Sequence, residues 1–355
     1  MAAPPFLSST SSTLKKSDVT DLSSLIGQPE AASRLAAIIA DPGATFHLIT
    51  GAPGSGKRFA AQILAKAVLC ESPGPSGACG ACRSCTLFDA GNQIDFHELK
   101  PDSKTLIKTD TVRQAINDLH VMPRLGERQV ILIDGNLLNE QGQNALLKSL
   151  ETPPPSVIFI MTADSEQALL PTIRSRAGTI ALTARDDRSI RQILKLHGIV
   201  AEDAVSQAVA YAAGNPGRAL TLAGSKSFPV VREVALKLFF GLPKRRVSEL
   251  LSEDAAVLKQ YKESDDQELD TVFDIWSEQL RDALVMHLGR EPLHSTEKKR
   301  LADFLAETDK RADTAARLER CQRDIIRVRR ALAAYAGADT ALAHILLFMG
   351  KELHG

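Results

Sequence analysis

Apolar residues recur along this chain with two periods, and the change from one to the other divides it. In the first half, short apolar runs alternate with stretches in which apolar positions return every three or four residues. The runs are Phe46–Thr50, Asp95–Leu99, Val130–Asp134, Val157–Thr162 and Thr179–Leu182. Continuous apolar runs bounded by polar, Gly or Pro residues are expected of strands buried on both faces. Between them, three sets each share one helical face: Ala31, Leu35, Ile38 and Ile39; Phe59, Ile63, Leu64 and Ala67; Val112, Ile116 and Leu119. Pro29 suits the first turn of the first helix, which Asp41-Pro42-Gly43 stops. Asp110 is the expected cap of the third. A further helix over Asn139–Glu151 ends at Thr152-Pro153-Pro154-Pro155, which cannot continue it. Strand and helix in alternation predict an α/β domain, a parallel sheet with helices on both faces.

From Asp186 the strand signal disappears. Helices are expected at about Arg188–His197 and Glu202–Ala213. The turn Gly214-Asn215-Pro216-Gly217-Arg218 then places Arg218 in the first turn of another helix, where a cation opposes the dipole. Ser225-Lys226-Ser227 is a candidate linker. Phe228 to Gly355 reads as helices, with Trp276 among Val272, Phe273, Ile275 and Leu280. The expected divisions are a flexible tail over 1–24, an α/β domain over 25–182 with a metal module at 70–85, a small helical domain over 183–225, and an all-α oligomerisation or docking domain over 226–355.

Composition narrows the class. At 355 residues, 44% hydrophobic and 24% charged, the chain is long enough for two or three domains of ordinary globular character. Its 43 basic and 43 acidic side chains cancel, which gives no support to a whole-molecule grip on nucleic acid and leaves a local basic face open. No run approaches the ~18 apolar residues of a membrane span. The opening MAAPPFLSSTSSTLKKSD lacks the apolar core of a secretory signal and, without Arg, is a poor transit peptide. A reducing cytoplasm is the expected location.

Three groups of residues carry chemistry. The first is the turn Gly51-Ala52-Pro53-Gly54-Ser55-Gly56-Lys57 between a strand and a helix. In G-x-x-x-x-G-K the glycines let backbone N–H groups close around phosphate oxygens, and Lys57 reaches the outer phosphates. Gly51, Gly54, Ser55, Gly56 and Lys57 are therefore candidate ATP-binding residues. The Ser or Thr that should follow to ligand Mg²⁺ is Arg58, so occupancy by ATP stays open while the metal site is damaged. The second is Asp134, which ends a buried strand in the manner of a Walker B carboxylate. Gly135 and Asn136 follow it where a general base is needed, and Asp134 could equally cap the next turn. The third is Cys70, Cys79, Cys82 and Cys85, four of the five cysteines, spaced C-x8-C-x2-C-x2-C. Four thiolates make a closed tetrahedral zinc site, structural rather than catalytic. Crowding and compartment disfavour disulfides, and an iron–sulfur cluster ranks below zinc. Cys321 stands alone.

These motifs, in this order, resemble the clamp-loader branch of the AAA+ family, from about Leu25 to Arg218 on motifs and onward on architecture only. Its specific parts are Gly51 to Lys57, the cysteine insertion, Asn144-Ala145-Leu146-Leu147-Lys148-Ser149-Leu150-Glu151 before prolines, and Ser175-Arg176. The resemblance implies an AAA+ domain, a three-helix lid and a helical collar through which five subunits form an open ring. Partners would be gamma/tau-like ATPase subunits, a delta-like subunit, the sliding clamp and, through the assembly, primed DNA. It also implies that Thr162 is a sensor 1 residue, Arg218 the sensor 2 arginine and Arg176 an arginine finger presented to the neighbour's ATP. The family's Ser-Arg-Cys reads Ser175-Arg176-Ala177 here, which keeps the charge. Arg58 and Gly135 favour a largely non-hydrolysing subunit over the alternative, an active gamma/tau-type ATPase. The long C-terminal extension expected of a tau-like chain is also missing. A hexameric DNA motor would need intact hydrolytic residues. No polymerase active site is legible, so a polymerase label would belong to the assembly.

Overall fold

The computed structural model describes residues 21–354 except 42, 44, 102–105, 120–121, 265, 293–296, 310–311 and 335–336. Most of the expected tail, and Pro42, lie outside the described residues. The chain divides into two compact units, Met1–Thr221 and Leu222–Gly355.

In the first unit the apolar runs form β1 (Phe46–Thr50), β2 (Phe96–Leu99), β3 (Gln129–Asp134), β4 (Val157–Ala163) and β5 (Gly178–Ala181). They make one five-stranded sheet in the order β2-β3-β4-β1-β5, with every neighbouring pair parallel. The helices that alternate with them are α1 (Pro29–Ala40), α2 (Lys57–Val68), α3 (Arg83–Asp89), α4 (Thr109–Asp118), α5 (Glu140–Glu151) and α6 (Pro171–Arg174). The unit continues through α7 (Asp187–Leu196), α8 (Glu202–Ala212) and the start of α9 (Pro216–Gly224).

Successive side chains of a strand point to opposite faces, so a run apolar throughout must serve two cores. Ile158 and Ile160 of β4 pack with Ile49, Val130 and Leu132 against Leu35 of α1 and Ile63 and Leu64 of α2. Val157, Phe159 and Met161 turn the other way, joining Phe46, Leu48, Ile131 and Ile133 against Val112 of α4 and Leu146 and Leu150 of α5.

Three local expectations are corrected. Asp110 is not the cap of α4; the N-cap is Lys108, without a side-chain bond, and Asp110 sits in the first turn, where an acid still suits the dipole. The tail is shorter than expected, because Leu22–Ser24 form a 3₁₀ turn, Leu22 is buried and its N–H donates to Ser76 O at 2.9 Å. Asp95 precedes the strand: its buried carboxylate accepts the Arg124 and Leu125 N–H groups, each at 2.8 Å.

The second unit is helical over Phe228–Gly241, Ala255–Ser264, Asp266–His287, Lys298–Thr308, Thr314–Ala333 and Ala338–Leu353. Trp276 is fully buried there and its indole N–H donates to Ala235 O at 2.9 Å. Among the described residues, no helix is long and apolar enough to cross a membrane.

Candidate functional site

Parallel strands bring their carboxyl ends to one edge of the sheet, where open α/β folds bind ligands. Gly51 follows β1 at that edge, beside Leu182; a Cβ on Gly51 would stand 2.6 Å from Ser55 Oγ and 3.1 Å from Leu182 Cβ. Gly54 and Gly56 have φ of +80° and +89°, which favour glycine, and Gly56 caps α2. Ser55 Oγ is buried without a hydrogen-bond partner among the described residues. A phosphate group thus fits the cradle.

The charged side chains beside the cradle are already paired. Arg58, where the metal's hydroxyl ligand belongs, is ion-paired with Glu98 of β2 at 2.6 Å. Lys57 is paired with Asp164, just beyond β4, at 2.7 Å. A Cβ on Gly135 would lie 2.7 Å from Leu169 Cδ2 and 3.1 Å from Thr162 O, so a side chain after Asp134 would have to displace Leu169 and crowd the β4 backbone.

Asp134 and Thr162 are direct neighbours in the β3–β4 register, and Thr162 is buried. Asp134 Oδ1 accepts the Asn136 N–H at 3.1 Å and its Nδ2 at 2.9 Å, so the carboxylate caps the turn Gly135–Leu137.

The loop is gripped from its carbonyl side. Asn215 Nδ2 donates to Pro53 O at 2.6 Å, Gly217 N to Gly54 O at 3.0 Å, and buried Arg185 to Ser55 O at 2.9 Å. Arg185 also donates to Ile26 O at 2.9 Å, and burial lowers its pKa. A Cβ on Gly217 would fall 2.8 Å from Gly54 Cα, so only glycine allows this approach. Arg218, next in sequence, lies in the first turn of α9, its N–H accepted by Asn215 Oδ1 at 3.0 Å.

Arg176 lies elsewhere. It precedes β5, whose other end meets the phosphate loop, so roughly 20 Å of extended chain separates it from that edge. Its guanidinium is half-exposed, bonded to Glu151 Oε1 and to Thr172 O, each at 2.6 Å.

The four cysteine Sγ atoms all lie within 4.8 Å of one another, with Cys70 and Cys82 at 3.9 Å. Zinc–sulfur bonds of about 2.3 Å in a tetrahedron imply S–S edges near 3.8 Å. Amide groups turn towards the sulfurs: Ser72 N and Cys79 N to Cys70 at 3.4 and 3.2 Å, Cys82 N to Cys79 and Cys85 N to Cys82 at 3.4 Å. The Ala81 and Cys82 N–H groups lower the pKa of the exposed Cys79 thiol to about 6, whereas burial raises those of Cys70 and Cys85. The cluster could hold a metal such as zinc.

Residues 27–186, which contain the loop, the cysteines, Asp134 and Arg176, match the family described as "DNA polymerase III, delta subunit". Over these residues the chain is similar to the delta-prime subunits of DNA polymerase III. It is 31% identical over 198 residues to "DNA polymerase III subunit delta'" of Escherichia coli (strain K12), covering 55% of this chain and 59% of that protein. For the delta-prime subunit of Pseudomonas aeruginosa the figures are 37% over 132 residues, 37% and 40%. The tau/gamma subunit of Haemophilus influenzae is 35% identical over 149 residues, 42% of this chain and 21% of that one. The chain therefore spans about two fifths to three fifths of the delta-prime relatives it matches.

The sequence alone gave no site role to Asp164, Glu98, Glu151, Arg185 or Asn215. Asp164 alone left a signal, a carboxylate just past the carboxyl end of a buried strand. The others are partners from distant segments.

Proposed function

We propose that this chain is a delta-prime-like, largely non-hydrolysing clamp-loader subunit of the replicative DNA polymerase III holoenzyme, acting in the cytoplasm. It would assemble with gamma/tau-like ATPase subunits and a delta-like subunit into an open hetero-pentamer that places the sliding clamp on primed DNA. In this reading 25–182 is the AAA+ domain, 183–225 the lid and 226–355 the collar, while Cys70, Cys79, Cys82 and Cys85 hold one structural zinc.

One observation carries the reading: Arg58 stands where a metal-binding hydroxyl belongs and a crowded glycine follows Asp134, while Arg176 sits half-exposed at the far end of β5. A guanidinium that cannot serve its own loop is suited to a neighbour's. Beside a γ-phosphate it would stabilise charge spreading onto the phosphoryl oxygens, a contribution of about 10³ to 10⁵ in turnover. Thr162 and Arg218 are the proposed sensor residues, flanking a loop that can receive phosphate without cutting it.

The test is Arg176→Ala in a reconstituted loader. Assembly should be unchanged, and turnover at the site facing this chain should fall by about 10³-fold or more. An unchanged rate refutes the finger. The 35% identity to a tau/gamma subunit favours a second reading, an active ATPase. Rapid Mg²⁺-dependent ATP turnover by the purified chain, abolished by Lys57→Ala, would establish it instead.

A further inference from the structure

The cation that a phosphate loop reserves for its ligand is already engaged. Lys57 Nζ lies 2.7 Å from Asp164 Oδ1, and its side chain is only 12% exposed. Among the described residues its other hydrogen bond is long, 3.5 Å to Ala52 O. Asp164, with its side chain 43% exposed, is nonetheless tethered. It follows β4 immediately, so the sheet sets its height, and Asn136 holds it from two sides. The Asp164 N–H donates to Asn136 Oδ1 at 3.0 Å, and Asn136 Nδ2 donates to Asp164 Oδ1 at 3.3 Å. The same Nδ2 donates to Asp134 Oδ1 at 2.9 Å. A single carboxamide thus spaces two carboxylates at the strand ends and aims one of them at the ammonium.

We propose that Asp164 is a built-in counter-ion standing in for the outer phosphate, and that it holds the loop against nucleotide. A nucleotide entering the cradle would have to draw Lys57 away from Asp164. It would then leave that carboxylate unneutralised next to its own phosphates, so both the lost pair and the new repulsion oppose binding. Magnesium cannot relieve the repulsion as it does in an intact site, because the hydroxyl that would fix the metal is replaced by Arg58, itself committed to Glu98. The idle loop is then a property of one carboxylate as well as of the missing hydrolytic groups. The role of Asp164 rests on Gly51 to Lys57 being a phosphate cradle, and is independent of Arg176.

The test is calorimetric titration of ATP and ADP into the full chain, with Mg²⁺ and with EDTA. Asp164→Asn keeps the shape and removes the charge. It should bind both nucleotides about tenfold tighter or more than the parent, with and without the metal, and should not gain turnover. Lys57→Ala added to Asp164→Asn should abolish the gain. Asp164→Ala, which also removes the bond from Asn136, is the second variant, and its unfolding midpoint identifies any loss of fold. The proposal is overturned by folded Asp164 variants that bind no tighter than the parent, or by a gain that survives loss of Lys57. An Asp164→Asn chain that binds ATP more weakly, and only with Mg²⁺ present, would instead make Asp164 a metal-shell residue and would also overturn it. A failed Arg176→Ala experiment in the assembled loader leaves each of these readouts unaffected.

Discussion

Gly135 and Leu169 are packed so closely that a Cβ on the glycine would stand 2.7 Å from Leu169 Cδ2. The residue after Asp134 is therefore more than a missing carboxylate. Gly135→Glu should not create an ATPase, and overpacking should destabilise the first unit by about 1–3 kcal/mol. Urea unfolding together with steady-state ATP turnover checks both halves. A stable Gly135→Glu chain that hydrolyses ATP would contradict the packing argument.

Arg176 and Glu151 form a pair in which both side chains reach solvent, and such pairs contribute about 0–1 kcal/mol. Glu151→Gln and Arg176→Ala should each shift stability by less than about 1 kcal/mol, measured by chemical unfolding. Small shifts would let a loss of loader ATPase in Arg176→Ala be assigned to the neighbouring site rather than to misfolding.

The four clustered sulfurs predict about one zinc per chain. Chelation under reducing conditions should release it, lower the melting point of the first unit and expose four reactive thiols. Cys321 should stay unreactive until unfolding, since burial pushes its thiol up to about 12. A metal-free chain with an unchanged melting point would end the assignment.

Asp254 is buried, 3.4 Å from Arg245, and its pKa is raised above 3.8 chiefly by burial. An acid harder to ionise in the folded chain than in the unfolded one weakens folding once pH exceeds its unfolded value. Asp254→Asn should therefore raise the thermal midpoint near neutral pH. The gain should fade as pH falls through the folded pKa to about 3.8. Circular dichroism melts across that range give the answer, and a difference that grows towards acid would reverse the sign.

The strands were legible because burial on two faces demands unbroken apolar runs, and those over Val130–Ile133 and Val157–Met161 leave no other use. The cysteine site was legible because close spacing forces the sulfurs together. Asp95 misled, since a carboxylate beside Phe96 resembles a strand start until its loop partners at Arg124 and Leu125 are known. Gly135 read as an absence in the sequence, and only the nearby Leu169 turns it into a barrier. Asp164 became visible once the β1–β4 pairing set Lys57 beside the end of β4, a long-range relation that no local pattern encodes.

The chain has a single tryptophan, and it is sealed inside the second unit. Its emission therefore follows the helical second unit alone, while the reactivity of the four clustered thiols follows the sheet unit. One sample, heated once, can reveal whether the two parts come undone together or in sequence.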